Sequence, residues 1–599
     1  MLQNRVDIRG NGLMDKMEKL ITERKCGKFF YNGHGKPILP QRSMKALKKT
    51  LKYGDFLIKS KKIVAGCKAV IFFMCVLMVI SISFSVSALE TPRIKWQNGG
   101  CFSSWCETGW YSSPAVADLD EDGKQEVIGA SYSIFVLNGE DGSLKYRVDP
   151  EGGRVWPGVV VADIDGDGHK EFATAHGSGY LHLFNHDGTL RWTVNPISRE
   201  LRGLSACDLD GDGSMELVVT GAVSSKVNTW VYEHDGSLRN GWPQLADESG
   251  YAYGVFNDNA AVGDLDGDGS VEIIVPSDVH YICAYDSWGT PLPTNEIYGD
   301  KAWGKVGVWE SLEVELRGWG ECGGERKERY RTNFAHGAAL MCDFDKDGVR
   351  EIVATGNVYD CAIGHPPGQY NGIYIFNSDR SRFKWNGLNW EDAPVDTGSP
   401  LTEDYNIIEN NQPNPIVADL DGDGIEEILY SSYDGKVHAF WLDKTEHGEW
   451  PFSVHDSSEG YMRFASEPVA SDLDGDGSCE VLFTSWVEKG SGRTGDLFVL
   501  NSEGKLLHRV PLPEAYGSPD WNGGLAAPTL ADIDGDPDLE IIVNTAHSGF
   551  VAYDLPGTSN AVVHWGTGRG NMQRTGIAPT LTPTPPEPVS PQTLKIELN

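Results

Sequence analysis

The sequence predicts an all-β protein: a β-propeller of eight four-stranded blades, preceded by an N-terminal hydrophobic signal or anchor helix. Three observations predict it. A nine-residue acidic motif of the form Asp-x-Asp-x-Asp-Gly-x-x-Glu recurs eight times. Each copy stands between short apolar runs rich in β-branched residues, which read as buried strands. The shortest step between copies, 45 residues, is about the size of one four-stranded blade.

Taken from the N-terminus, residues 1–62 carry 16 Lys or Arg against 5 Asp or Glu, a net of +11. An apolar run follows through residues 63–88, interrupted by Lys68 and ending on small residues at Ser87 and Ala88. Basic flank, apolar core and small-residue end are the parts of a secretory signal. The run also has about the 20 residues that a membrane span needs. Cleavage after Ala88 and retention as an anchor therefore both stand, and Met44 offers a second start. In either case the basic side stays cytoplasmic and the acidic bulk is exported. The expected location is secreted or cell-surface, with the membrane a partner if the segment is not cleaved.

The formal charge of the chain is −35, and removing the +12 of residues 1–88 leaves about −47 on the exported part. Nucleic acid is excluded as a partner, because it requires a basic footprint. Eight of the eleven Cys lie in the exported part. An oxidising compartment allows Cys101 and Cys106 to close a small loop, and Cys322 and Cys361 to staple irregular stretches. Cys207, Cys283, Cys342 and Cys479 fall in strand-like runs and read as buried thiols.

The repeats occupy residues 89–578. Their acidic loops begin at Asp118, Asp163, Asp208, Asp264, Asp343, Asp419, Asp472 and Asp532, at steps of 45, 45, 56, 79, 76, 53 and 60 residues. Before each loop stands a run such as Pro114–Ala117, and after it another such as Val127–Ala130. A third and fourth follow around an Asp-Gly turn, as in Gly179–Val194, and this is a hairpin signal. Four strands per unit repeated eight times make a propeller; a seven-bladed ring with one irregular unit is the alternative. Ring closure is expected to join Ile94–Gln97 to Val562–Trp565. Two insertions, residues 296–330 and 356–410, break the rhythm and contain Trp303, Trp309, Trp319, His365, Trp385 and Trp390. Insertions in repeat arrays collect on one face, so these aromatic residues read either as a ligand face or as rim packing. Residues 579–599 form a Thr/Pro-rich disordered tail.

Acids at positions 1, 3 and 5 aim three carboxylates into one concavity. Gly at position 6 supplies a positive φ, which lets the position-7 carbonyl face inward, and Glu at position 9 closes the site. An oxygen-only set with several carboxylates suits Ca²⁺ better than Mg²⁺. The expected ligands are Asp118, Asp120, Asp122, Lys124 and Glu126 in the first loop, and Asp163, Asp165, Asp167, His169 and Glu171 in the second. The third and fourth supply Asp208, Asp210, Asp212, Ser214 and Glu216, then Asp264, Asp266, Asp268, Ser270 and Glu272. The fifth and sixth supply Asp343, Asp345, Asp347, Val349 and Glu351, then Asp419, Asp421, Asp423, Ile425 and Glu427. The seventh and eighth supply Asp472, Asp474, Asp476, Ser478 and Glu480, then Asp532, Asp534, Asp536, Asp538 and Glu540. The position-7 residue acts through its carbonyl. Up to eight Ca²⁺ are expected. Pro537 replaces the position-6 Gly and cannot adopt positive φ, so the eighth site is expected to be reshaped. An EF-hand is excluded, since its acid stands at position 12 between helices.

These loops between strand runs resemble the FG-GAP or VCBS repeat family, including the propeller heads of integrin α chains, over residues 92–575. The resemblance implies calcium loops joining neighbouring strands within each blade, on an exported protein that binds other molecules. The leading reading of function is a cell-surface binding or adhesion module for extracellular protein or glycan ligands. The alternative is a polysaccharide-active enzyme resembling rhamnogalacturonan lyase, with Lys301, Arg331 and His336 as scattered candidates. A quinone-dependent dehydrogenase is a third, resting on turns such as Asp187–Trp192. The lining of the central channel discriminates: a convergent His, Lys, Arg and Tyr cluster marks an enzyme, and a plug marks a scaffold.

Overall fold

A computed structural model describes residues 89–579 except 103, 108, 223–226, 246–249, 252–259, 278, 323–324, 327–330, 335–336, 360–368, 397–400, 403, 405–406 and 408–413. The basic segment 1–62, the apolar run 63–88 and the tail from 580 lie outside these residues, as do His336, Cys361 and His365. Among the described residues no helix is long and apolar enough to cross a membrane.

Eight small antiparallel sheets form a ring, one for each acidic loop. Blade 1 is Ala115–Ala117, Glu126–Ala130, Ile134–Asn138 and Leu144–Val148, each paired with the next. Blade 2 repeats it with Val160–Ala162, Glu171–Ala175, Leu181–Phe184 and Leu190–Val194. The same order runs through blade 8. In blades 3 and 4 the outer strand shrinks to isolated bridges, such as Tyr232 with Leu238 and Tyr285 with Pro291, and in blade 5 to a bridge of Phe376 with Arg382 and the two-residue strand Val395–Asp396. The second strand of each blade is buried on both faces, which explains its continuous apolar run. The outer strands alternate between exposed and half-buried positions.

The core lies between blades. Ile128 and Val136 of blade 1 pack with Val161, Phe172 and Phe184 of blade 2. Similar clusters join each pair in turn around to Ile533 and Phe550 of blade 8, which meet Val127 and Phe135 of blade 1. A complete cycle of such interfaces settles the blade number at eight.

Tryptophan latches add direction to this packing. Trp96, Trp192, Trp242, Trp390 and Trp450 each donate their indole N–H to a backbone carbonyl of the following blade, at Gly139, His234, Ser287, Leu442 and Ser502. Tyr146 does the same to His186 through its hydroxyl. The Asp-Gly turns are shaped for this contact: a Cβ on Gly142 would come within 2.4 Å of the Trp96 ring, and one on Gly188 within 2.6 Å of Tyr146.

Closure differs from the sequence expectation. The strand Arg93–Asn98 is the outer strand of blade 8 and pairs with Phe550–Leu555, not with Val562–Trp565. Val562–Trp565 pairs instead with Val469–Asp472, the inner strand of blade 7. From there residues 566–578 fill the central channel. Their carbonyls at Gly566, Met572, Gln573, Thr575 and Gly576 accept N–H bonds from the inner strands of blades 8, 2, 3, 4 and 5. Inner strands line a propeller channel with unpaired edges, and the chain's own C-terminal segment satisfies them.

Cys101 and Cys106 form a disulfide, while Cys207 is a half-buried and Cys283, Cys342 and Cys479 are buried free thiols. The insertion after blade 4 contains the short helix Leu312–Arg317. Its Glu315 is fully buried against Arg380 at 2.8 Å and Arg382 at 2.6 Å, and accepts the Tyr298 hydroxyl.

Candidate metal centres

Each acidic loop joins the inner strand of its blade to the second strand, so all eight lie on one face of the ring. Their internal geometry is nearly identical. In the first seven, the position-6 amide donates to Oδ2 of the position-1 Asp, as Gly168 does to Asp163 at 3.0 Å. In all eight, Oδ1 of the position-5 Asp accepts the position-7 amide, as Asp167 does from His169 at 2.9 Å. Gly168 has φ +98°, as the motif requires. Position 4 also has positive φ, which the sequence reading missed: Gly166 stands at +71°, and Glu121 and Lys346 adopt it at +59°. Glycine at position 4 in six of the loops was the available signal. In the eighth loop Pro537 has no N–H to give Asp532.

The position-9 Glu is the first or second residue of the second strand and is buried in every loop. Its Oε2 accepts the position-2 amide throughout, for example Leu119 to Glu126 at 2.9 Å and Leu420 to Glu427 at 2.7 Å. That leaves Oε1 facing the acids. In several loops three carboxylates offer ligand atoms within 4.8 Å of one another, such as Asp163, Asp165 and Glu171. Oδ1 of Asp163, Asp165 and Asp345 is buried with no hydrogen-bond partner, so the donor set fits a hard cation.

The loops then divide. In four of them a basic side chain from the outer strand or its turn stands on the position-3 and position-9 acids. Lys145 reaches Asp120 at 2.6 Å and Glu126 at 2.7 Å. Arg191 contacts Asp165 and lies 3.2 Å from Glu171. Arg239 reaches Asp210 at 3.0 Å and Glu216 at 3.6 Å. Lys95 contacts Asp534 and lies 3.2 Å from Glu540. The fourth, fifth and seventh loops have no such ion pair among the described residues, and in the sixth the Trp441 indole donates to Asp421 at 3.1 Å. Burial raises the position-9 Glu in both groups, Glu427 to about 9, Glu351, Glu480 and Glu216 to about 8, and Glu272 and Glu540 to about 7. The position-2 amide opposes that shift, and the neighbouring carboxylates add to it.

Among the described residues the channel is filled by the C-terminal segment and shows no open cluster of His, Lys, Arg and Tyr. Two arginines of its plug are buried and donate to protein oxygens. Arg574 binds the carbonyls of Val159 at 2.9 Å, Pro114 at 2.8 Å, Ser113 at 3.2 Å and Gly568 at 2.9 Å, and Thr567 Oγ1 at 2.6 Å. Arg569 binds the Ala339 and Ala260 carbonyls, and its amide donates to Glu467 at 3.1 Å. Of the scattered enzyme candidates, Lys301 is exposed in the insertion and Arg331 lies on the strand Arg331–Asn333. The insertion aromatics mostly serve packing: Trp303, Trp309 and Trp390 are buried, and Trp319 lies under Arg317 and Arg326.

A profile for the FG-GAP-like repeat matches residues 118–174, 163–219, 208–275 and 419–483. No curated protein matches the sequence. Among solved structures, the V. cholerae biofilm matrix protein Bap1 is 14% identical over 82% of this chain and 96% of its own, with a TM-score of 0.38. The exotype rhamnogalacturonan lyase YesX is 16% identical over 78% of this chain and 75% of its own, at 0.42. The Bacillus licheniformis rhamnogalacturonan lyase PL11 is 17% identical over 79% and 76%, also at 0.42. Likeness at this level says nothing of activity.

Proposed function

We propose that this FG-GAP-like repeat protein is an exported, calcium-stabilised binding module, secreted or held at the cell surface, whose ligands are extracellular proteins or glycans. The observation that carries this reading is the filled channel. A propeller that plugs its own axis with residues 566–578 has only its faces and rim to offer a ligand. One face is taken up by the acidic loops.

In each loop the Asp carboxylates at positions 1, 3 and 5, the position-7 carbonyl and Oε1 of the position-9 Glu would hold the ion. Bound Ca²⁺ supplies two positive charges where four carboxylates otherwise repel. The fourth to seventh loops depend on it most, because among the described residues no lysine or arginine of their outer strands pairs with their position-3 and position-9 acids. The other four are partly neutralised by Lys145, Arg191, Arg239 and Lys95.

Calorimetric unfolding with saturating Ca²⁺, with Mg²⁺ and with chelator tests the reading. Ligand in excess of about 1,000-fold over its dissociation constant stabilises by roughly 4 kcal/mol per site. A rise in midpoint of about 10 °C or more with Ca²⁺ is therefore expected, with little from Mg²⁺. Equal midpoints in Ca²⁺ and chelator would overturn it.

A further inference from the structure

The face opposite the acidic loops carries a guanidinium with no acid paired to it among the described residues. The turns between second and third strands, and the connections that enter each inner strand, lie on this face. Arg154 precedes the inner strand of blade 2 and sits among three rings. Its Cζ is 5.0 Å from the Tyr111 centroid, 5.2 Å from Tyr132 and 5.2 Å from Trp156. One terminal nitrogen donates to the Tyr132 hydroxyl at 3.1 Å. Its Nε is buried without a partner, and no carboxylate lies within ion-pair distance among the described residues. In a chain of formal charge −35, this arginine is held by rings and a hydroxyl and not by a carboxylate.

The surroundings extend the pattern. Arg202, paired with Glu200, also lies over the Trp156 ring, its Cζ 3.5 Å from the centroid. Tyr111 meets Trp156 at 4.4 Å and Trp110 at 5.4 Å, and Trp110 meets Trp521, which meets His547. Trp110 Nε1, Trp156 Nε1 and His547 Nε2 are all buried without partners. Tyr132 is 43% exposed, so the cage is open on one side.

We infer that this cage around Arg154 is the ligand site of the module, and that it binds a carboxylated sugar unit of an acidic polysaccharide. The inference rests on the binding-module reading above and names its ligand class. A guanidinium offers parallel N–H donors that match a carboxylate. Half-buried Tyr and Trp rings offer flat apolar faces to the C–H face of a pyranose while their polar edges stay near hydroxyls. A peptide carboxylate would use the guanidinium but leave several adjacent ring faces without a partner of matching shape, so the sugar is favoured.

The test measures binding of the full-length chain to octamers of mannuronate, guluronate and galacturonate. Each is set beside its carboxyl-reduced counterpart, with free Ca²⁺ kept below the level that associates uronates. At least one uronate is expected to bind, with carboxyl reduction and Arg154→Gln each weakening it about tenfold or more. Tyr132→Ala, at an exposed position that leaves the fold intact, should weaken it several-fold. No binding by any uronate, or equal binding by the reduced form or by Arg154→Gln, overturns the inference. So does a polyglutamate peptide that binds through Arg154 where no uronate does. Thermal midpoints with Ca²⁺ and chelator on the same samples separate the two failures. If calcium still stabilises a chain that ignores uronates, the ligand assignment falls and the metal reading does not.

Discussion

Glu at position 9 uses its two oxygens differently: Oε2 caps the position-2 amide in all eight loops, while Oε1 turns to the acids. The motif showed the residue type, because a carboxylate there has obvious metal chemistry. The capping bond was not legible, since it depends on the strand register that sets Glu126 opposite Ala117. Histidine teaches the complementary lesson. His176 is wholly buried in blade 2, with Nδ1 2.9 Å from the Gly153 carbonyl and Nε2 3.0 Å from Thr174 Oγ1. Burial holds it down to about 3, against the Gly153 bond and with the nearby His182 adding to the shift. The unfolded chain takes up a proton below its ordinary value near 6.5, and the folded chain does not. The stabilisation is therefore complete above pH 6.5 and lost as pH falls towards 3, amounting to about 2 kcal/mol by pH 5. His176→Gln should remove about one proton from the uptake on acid unfolding, read as a shallower dependence of urea stability on pH between 6.5 and 4. An unchanged slope would show that His176 is not held neutral.

At the scale of the element, the outer strand is a partner of the acidic loop, and a repeated pattern carries this. Asp141–Tyr146, Asp187–Trp192 and Asp235–Arg239 share the order Asp-Gly-x-Leu followed by Lys or Arg. Sequence reasoning saw the hairpin and the loop as separate repeats. The link between them was hidden because Lys145 and Asp120 meet only once four strands are in register. The second-position aromatic of the same turns, Tyr146 or Trp192, latches onto the next blade, so one short strand serves both contacts. Blade 7, with Leu506 and Leu507 at this step, has no basic side chain paired with its loop acids among the described residues. Lys145→Gln should accordingly cost about 1 kcal/mol of unfolding free energy in chelator, since it strips a half-buried ammonium from two carboxylates. In saturating Ca²⁺ the loss should be clearly smaller, because the ion neutralises the same oxygens. Urea titrations in both conditions check this, and an equal loss in each would mean that the lysine and the metal do not share the site.

For the whole molecule, eight interfaces close the ring, and the repeat spacing made that number readable because each blade is a local unit. The plug was not readable. Residues 566–578 show no strand or helix period, and their partners are contributed by inner strands up to about 460 residues away, as with Pro114 and Arg574. Closure is thus doubled. The strand Arg93–Asn98 holds blade 8 from outside, and the C-terminal segment ties seven blades from within, Arg574 reaching blade 1. Arg574 is central to this: burial pushes its guanidinium down to about 10, and its donors satisfy four carbonyls that line the axis. Arg574→Met would leave those carbonyls unpaired in a dry channel, at a cost on the order of 4 kcal/mol. Ending the chain at Ala561 should go further, because the inner-strand edges lose their partners all round the ring. Hydrogen exchange distinguishes a structural axle from a passive filler. If the plug ties the ring, truncation should raise exchange at Val161, Ala206, Val262 and Met341 together, in four different blades. If exchange rises only at Val469–Asp472, where the segment enters, the blades hold one another through their faces and the axle has no global role.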